Sequence, residues 1–282
     1  MPDLPDPSKP LEVTPQQHDT TSKLQPLRKK APLTNSTPLT FHYEPSADGV
    51  DENLVIFFHG LGDKITPGFT SLAKKLNLPQ SATCCIQAPT PVPYLNEEAW
   101  QWYPSFDLLT GEQLGPDRPE RMLQMKQTVR PALVKLLQHF IQYCGFSADR
   151  IILFGFSQGG SVALDVAAFG GINLKAIISI GGYLMEESQN VVPKTSPLTT
   201  RVFVLHGAKD YTVVPKIAKD KFKYIERVFG KANTGLHIVE GMGGGMPNSE
   251  TGWRPIMTFF ADVLEYRNVA LENMTDVFEV KQ

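Results

Sequence analysis

Short, unbroken apolar runs recur along the chain from about residue 39 onward, separated by longer stretches in which apolar and polar positions alternate at helical spacing. The runs are a segment around 40–43, LVIFF ending at Phe58, CCI ending at Ile86, IILFGF ending at Phe156, AIISI over 176–180, RVFVL over 201–205 and LHIV over 236–239. Runs without polar interruption indicate strands covered on both faces. Between them, Met122, Met125, Val129, Leu133, Leu136, Phe140 and Cys144 repeat at steps of three to four residues behind a start signal at Asp117 and Pro119, and Pro131 is expected to kink that helix. Two further helices are read over Val214 to Val228 and Thr251 to Tyr266, the second amphipathic through Ile256, Phe259, Phe260 and Val263. Buried strands alternating with helices predict an α/β fold: a mostly parallel central sheet with helices on both faces.

Composition narrows this picture. The 282 residues, 41% apolar and 20% charged, suit one large globular domain, read here as 39–270. Residues 1–38 hold eight prolines among polar residues and are expected to form a disordered tail, in which Arg28, Lys29 and Lys30 are simply solvated. A polar tail is expected over 271–282. A net charge of -2 gives no electrostatic case for nucleic acid. Cys84, Cys85 and Cys144 make an odd set with two neighbours adjacent, which is no disulfide framework and fits a reducing, cytoplasmic setting. No apolar run approaches the ~18 residues of a membrane span, and no secretion signal is expected.

The candidate chemistry lies at GFSQGG, residues 155–160. It follows the strand IILF and precedes SVALDVAAF, a helix former, which is the strand, turn and helix setting of a nucleophile elbow. Gly155 and Gly159 allow a sharp turn and a close helix crossing, with Gly160 aiding the approach, so the Ser157 hydroxyl is thrust into the open. The same turn aims the amide of Gln158 at a developing oxyanion. The second donor is expected in the loop HGLGD after LVIFF, at Leu61, with His59 a structural histidine bonded to backbone.

HGLGD (59–63), GFSQGG (155–160) and HGAKDYTVVP (206–215), in that order, resemble the phospholipase/carboxylesterase family of the α/β-hydrolase superfamily, which includes the acyl-protein thioesterases. The likeness runs from about residue 50 to 268, and QAPTPVP (87–93) and WQWYPSFDLLTG (100–111) resemble its substrate loop, placing Trp100 and Trp102 there. By that resemblance Ser157 is the nucleophile, Asp210 the triad acid, and Leu61 and Gln158 the oxyanion hole, with no cofactor and no metal. The position of Asp210, in a loop after a late strand, is also where this fold's serine, acid, histidine order places the orienting acid.

The resemblance breaks at the histidine. The family's base follows a glycine-containing loop after the last strand, where this chain reads IVEGMGGGMPNSE and Gly244 aligns with it. Of the six histidines, His18 lies in the tail, His42 on the opening strand and His139 in the long helix. His206 is the best substitute base, although in HGxxD it also reads as structural. His237, within LHIV, is expected to point into a helix layer. Gly243 to Gly245 read as a permissive turn or as a loop that binds a ligand. About twenty residues separate AIISI from RVFVL, so no large cap domain is expected and a small or protein-borne acyl ester or thioester can reach the site. The resemblance implies a thioester of palmitoyl-cysteine type. Two functions follow: a working serine esterase or thioesterase, or a pseudo-hydrolase that binds an acyl ligand or partner protein without turnover.

Overall fold

The structure, a computed structural model, describes residues 13–15, 27–95, 97–115, 118–188, 198–272 and 278–280. These fall into two compact units, one of Leu27–Glu265 and one of Met1–Pro26 with Tyr266–Gln282. In the smaller, Val13–Pro15 pairs antiparallel with Phe278–Val280, and one helical turn, Val269–Glu272, carries an ion pair of Arg267 with Glu272 at 2.6 Å.

The larger unit is built on seven strands: β1 (Phe41–Glu44), β2 (Asn53–Phe58), β3 (Ser81–Ile86), β4 (Ile151–Phe156), β5 (Ala176–Ile180), β6 (Arg201–Gly207) and β7 (Thr234–Val239). Their order is β7-β6-β5-β4-β2-β3-β1. Every neighbouring pair is parallel except β1 with β3. The continuous apolar runs now have their physical cause. Along β2, Leu54, Ile56 and Phe58 enter one core and Val55 and Phe57 the other, because successive strand side chains point to opposite faces. The first core is closed by α2 (Pro119–Gln124), α3 (Arg130–His139), α4 (Gln158–Phe169) and α5 (Pro215–Phe229), the second by α1 (Thr70–Leu76) and α6 (Glu250–Val263). This is the α/β-hydrolase fold expected from the pattern, with only residues 181–200 between β5 and β6.

Local detail adds to the expectation at Pro131 and departs from it in the N-terminal tail. Pro131 does not end the long helix: a π-helical turn, Met125–Val129, widens the spiral just before it, and Arg130 N–H bonds back to Met125 O. A widened turn absorbs a residue that cannot donate its own bond. The start signal at Asp117 lies outside the described residues. The tail expectation over 1–38 likewise falls outside them for 1–12 and 16–26, but from Leu27 the chain is seated on the larger unit. The cause is Asp51, whose buried carboxylate takes Arg28 Nη1 at 3.1 Å and Lys29 N–H at 3.0 Å, while Thr37 Oγ1 bonds Ala132 O and Leu33 N–H bonds His139 Nε2. The basic cluster is therefore an anchor and not merely solvated.

All three cysteines are buried and unpaired. Burial pushes the thiol of Cys85 up to about 12 and that of Cys144 up to about 11. At pH 8 this leaves about one part in ten thousand of Cys85 as the reactive thiolate. Native protein is accordingly expected to give no fast reaction with Ellman's reagent at pH 8 and about three thiols per chain after unfolding. A fast native thiol would refute this packing.

Candidate active site

The sheet order places a crevice where chain connections diverge, with β3 on one side of β2 and β4 on the other. Ligands of open α/β sheets bind at the carboxyl ends of such strands. The loops after β2 and β4 carry Leu61 and Ser157. Ser157 has φ 52 and ψ -120, a left-handed conformation that costs a non-glycine residue about 1–3 kcal/mol. It is held there by its N–H on Ile180 O at 2.8 Å and by its carbonyl, which accepts Ser161 N–H at 3.2 Å. The helix behind it fits only because Gly159 has no side chain: a β-carbon there would stand 2.5 Å from His59 O.

Gln158 opens α4, so its amide has no acceptor within the helix. In the HGLGD loop, Gly60 N–H goes to Asp63 Oδ2 at 3.1 Å and Gly62 N–H to Trp100 O at 2.9 Å, which leaves the amide of Leu61 between two fixed neighbours. Leu61, Ser157 and Gln158 line one cleft of about 290 Å³. His59 serves the loop. Its Nδ1 lies 2.8 Å from Gly60 O and its Nε2 accepts from Ala88 N–H at 3.0 Å, and burial lowers its pKa. A neutral imidazole with both nitrogens engaged has no lone pair to offer Ser157.

Asp210 follows β6, two strands from β4, which sets its loop about 10 Å from that of Ser157. Its Oδ1 accepts Thr212 N–H at 2.8 Å and Val213 N–H at 3.0 Å. Its Oδ2 faces Gly244, where a β-carbon would stand 2.9 Å away. The glycine loop is laid on the acid loop, with Lys209 N–H on Met242 O at 2.8 Å and Ala208 N–H on Val239 O at 3.0 Å. His206 is fully buried. Its Nε2 lies 2.7 Å from Val213 O, so that nitrogen carries the proton, while Nδ1 has no hydrogen-bond partner among the described residues. It braces the loop of Asp210. His237 lies on the α6 face of the edge strand β7, stacked on Phe203, but it is exposed there and not buried in the helix layer.

The substrate-loop tryptophans do not reach the cleft. Trp102 is fully buried against Phe58 and His59, with its indole N–H on His59 O at 2.9 Å, and Trp100 faces a separate hollow beside Leu39. Tyr103, Ser105 and Leu114 line the cleft in their place. What sequence reasoning missed is the side chain of Gln158. Its Oε1 accepts Trp102 N–H at 2.9 Å, and its Nε2 donates to Tyr103 O at 3.1 Å and Ser105 Oγ at 2.5 Å, so the residue after Ser157 also ties down the loop that walls the cleft. Tyr183 lines the cleft as well, its ring edge on His206. Burial first, then the charge of Asp210, push its phenol up, so it stays protonated. Among the described residues no cluster of histidine, cysteine and carboxylate side chains converges to hold a metal ion, and no helix is long and apolar enough to cross a membrane.

Comparison with known proteins agrees with this fold. An uncharacterised hydrolase of Mycosarcoma maydis is 43% identical over 129 residues, 45% of this chain and 45% of that one, so the match spans about half of its length. Acyl-protein thioesterase 1 of Debaryomyces hansenii is 24% identical over 217 residues, 76% of this chain and 92% of the relative. Among solved structures, Zea mays acyl-protein thioesterase 2 superposes with a TM-score of 0.63 at 20% identity, over 80% of this chain and 99% of that one. The phospholipase/carboxylesterase family model matches residues 45–256, a span that takes in residues 59–63, 155–160 and Asp210, and the chain belongs to that family.

Proposed function

We propose that this chain is a serine hydrolase of carboxylic esters or thioesters that works through a Ser157 acyl-enzyme, with turnover held low by the glycine at 244. The observation that carries this reading is the strained, cleft-lining Ser157 flanked by the amides of Leu61 and Gln158. Ser157 Oγ attacks the acyl carbonyl, and the two amides hold the tetrahedral oxyanion. Collapse expels the alcohol or thiol, and water then releases the acid. With no imidazole beside Asp210, the hydroxyl proton passes to solvent water. Loss of a triad member costs up to about a millionfold in kcat, yet oxyanion donors and binding alone leave about a thousandfold over water. The thioester alternative rests on the thioesterases among its relatives.

The parent protein is expected to react with a fluorophosphonate probe and to hydrolyse p-nitrophenyl butyrate slowly, and Ser157→Ala to lose both. Parent turnover equal to that of Ser157→Ala would end this reading. It would leave the second, a protein that binds acyl ligands without turnover, which the Gly244 and Asp210 juxtaposition also favours.

A further inference from the structure

The amide of Leu61 is one half of a peptide group whose other half is the carbonyl of Gly60. A trans peptide is planar, so its N–H and C=O point in opposite directions and fixing one aims the other. Gly60 O is gripped twice, by His59 Nδ1 at 2.8 Å and by the N–H of Asp63 at 3.3 Å. The His59 ring carries its proton on Nδ1, because Nε2 accepts Ala88 N–H at 3.0 Å and faces the Gln87 amide nitrogen at 2.9 Å. At the opposite edge of the plane, Leu61 N–H donates to no group among the described residues, and Leu61 lines the Ser157 cleft.

The carboxylate of Asp63 closes the loop from the other side. Its Oδ2 accepts Gly60 N–H at 3.1 Å, so Asp63 holds both backbone groups of Gly60 and folds residues 60–63 into a closed turn with Leu61 N–H left outside. That turn is tied to its neighbour, with Gly62 N–H on Trp100 O at 2.9 Å and Trp100 N–H on Asp63 O at 3.3 Å. It is also seated on the elbow, since a β-carbon on Gly60 would stand 2.7 Å from the ring of Phe156, the residue before Ser157. An oxyanion donor is effective when its direction is set before charge develops. Here the direction is inherited from Asp63, which lies outside the residues that line the cleft.

We infer that Asp63 is a positioning residue for the reaction at Ser157: its carboxylate, with the imidazole of His59, aims the Leu61 N–H at the oxyanion. This role rests on the proposed acyl-enzyme reading and adds a residue that the reading does not name.

Asp63 is only half-buried, so its variants are expected to fold. Asp63→Ala removes the acceptor for Gly60 N–H, whereas Asp63→Asn keeps an acceptor oxygen of the same reach. With p-nitrophenyl butyrate, Asp63→Ala is expected to lower kcat by about ten- to a hundredfold, less than the outright loss of an oxyanion donor. KM should stay within about twofold, because the bond to the oxyanion is made in the transition state, and Asp63→Asn should lose no more than about threefold in kcat. A second readout needs no turnover. The order parameter of the Leu61 amide, from nitrogen relaxation by NMR, should fall from about 0.85 to below about 0.6 in Asp63→Ala and stay near the parent value in Asp63→Asn. A kcat for Asp63→Ala within about threefold of the parent, a loss carried by KM, an equal loss in Asp63→Asn, or an unchanged order parameter would overturn the inference. Parent turnover equal to that of Ser157→Ala, with the order parameters as expected, would instead remove the hydrolase reading and leave the clamp on Leu61 standing.

Discussion

Gly244→His is expected to raise the rate of p-nitrophenyl butyrate hydrolysis by about a hundredfold or more, the range general-base catalysis supplies. On the proposed reading Asp210 is the acid that would orient the new base. Asp210 already has Oδ1 fixed by two backbone amides and Oδ2 turned toward position 244. Gly244 is exposed and its φ lies outside the left-handed region, so its backbone accepts a side chain. The new β-carbon would press on Asp210 Oδ2, which is the far end of a flexible side chain and gives way at small cost. An imidazole here would be oriented by the carboxylate and would bridge toward Ser157. The pH profile provides a second readout: the rate should climb through about pH 6.5 as the imidazole loses its proton and becomes a base. An unchanged rate in a folded variant whose Ser157 still reacts with fluorophosphonate would show that position 244 is not where the base belongs.

Gly159→Ala is expected to cost about 3–5 kcal/mol and to lower Tm by about 10 °C. The added methyl would stand 2.5 Å from His59 O and 2.6 Å from the Phe58 carbonyl carbon. Both belong to backbone at the end of β2, which is paired on both sides and cannot step aside. Moving α4 instead would break the turn that sets Ser157. Gly245→Ala is the control, since a methyl there meets nothing within 4 Å, and its stability should change by less than about 0.5 kcal/mol. Denaturant unfolding of the two variants measures the difference. Equal stability would mean that the helix does not cross β2 as closely as described.

The strands and the elbow were legible in the sequence because their signals are local. A strand covered on both faces must be apolar at every position, and a tight strand-to-helix turn needs glycines at fixed offsets. Gly244 stood out in the sequence for the same reason, since it sits within a short loop after a recognisable strand. What stayed hidden depends on partners far along the chain. The grip of Gln158 on residues 102–105 spans more than fifty positions. The seating of residues 27–30 depends on Asp51, and nothing near Arg28 announces it. Trp102 reads as a binding aromatic but its indole N–H meets His59 O beneath the elbow, which places the ring inside. Pro131 reads as a kink, and the π-helical turn Met125–Val129 just before it is a feature the sequence does not announce.

The loop carrying Gly244 is hydrogen-bonded to the loop of Asp210 through backbone groups, with Lys209 N–H on Met242 O and Ala208 N–H on Val239 O. Neither bond involves residue 244 itself. On the proposed reading the missing base and the scaffold around it are written in separate residues, so that one codon would restore the chemistry while the scaffold stays as it is.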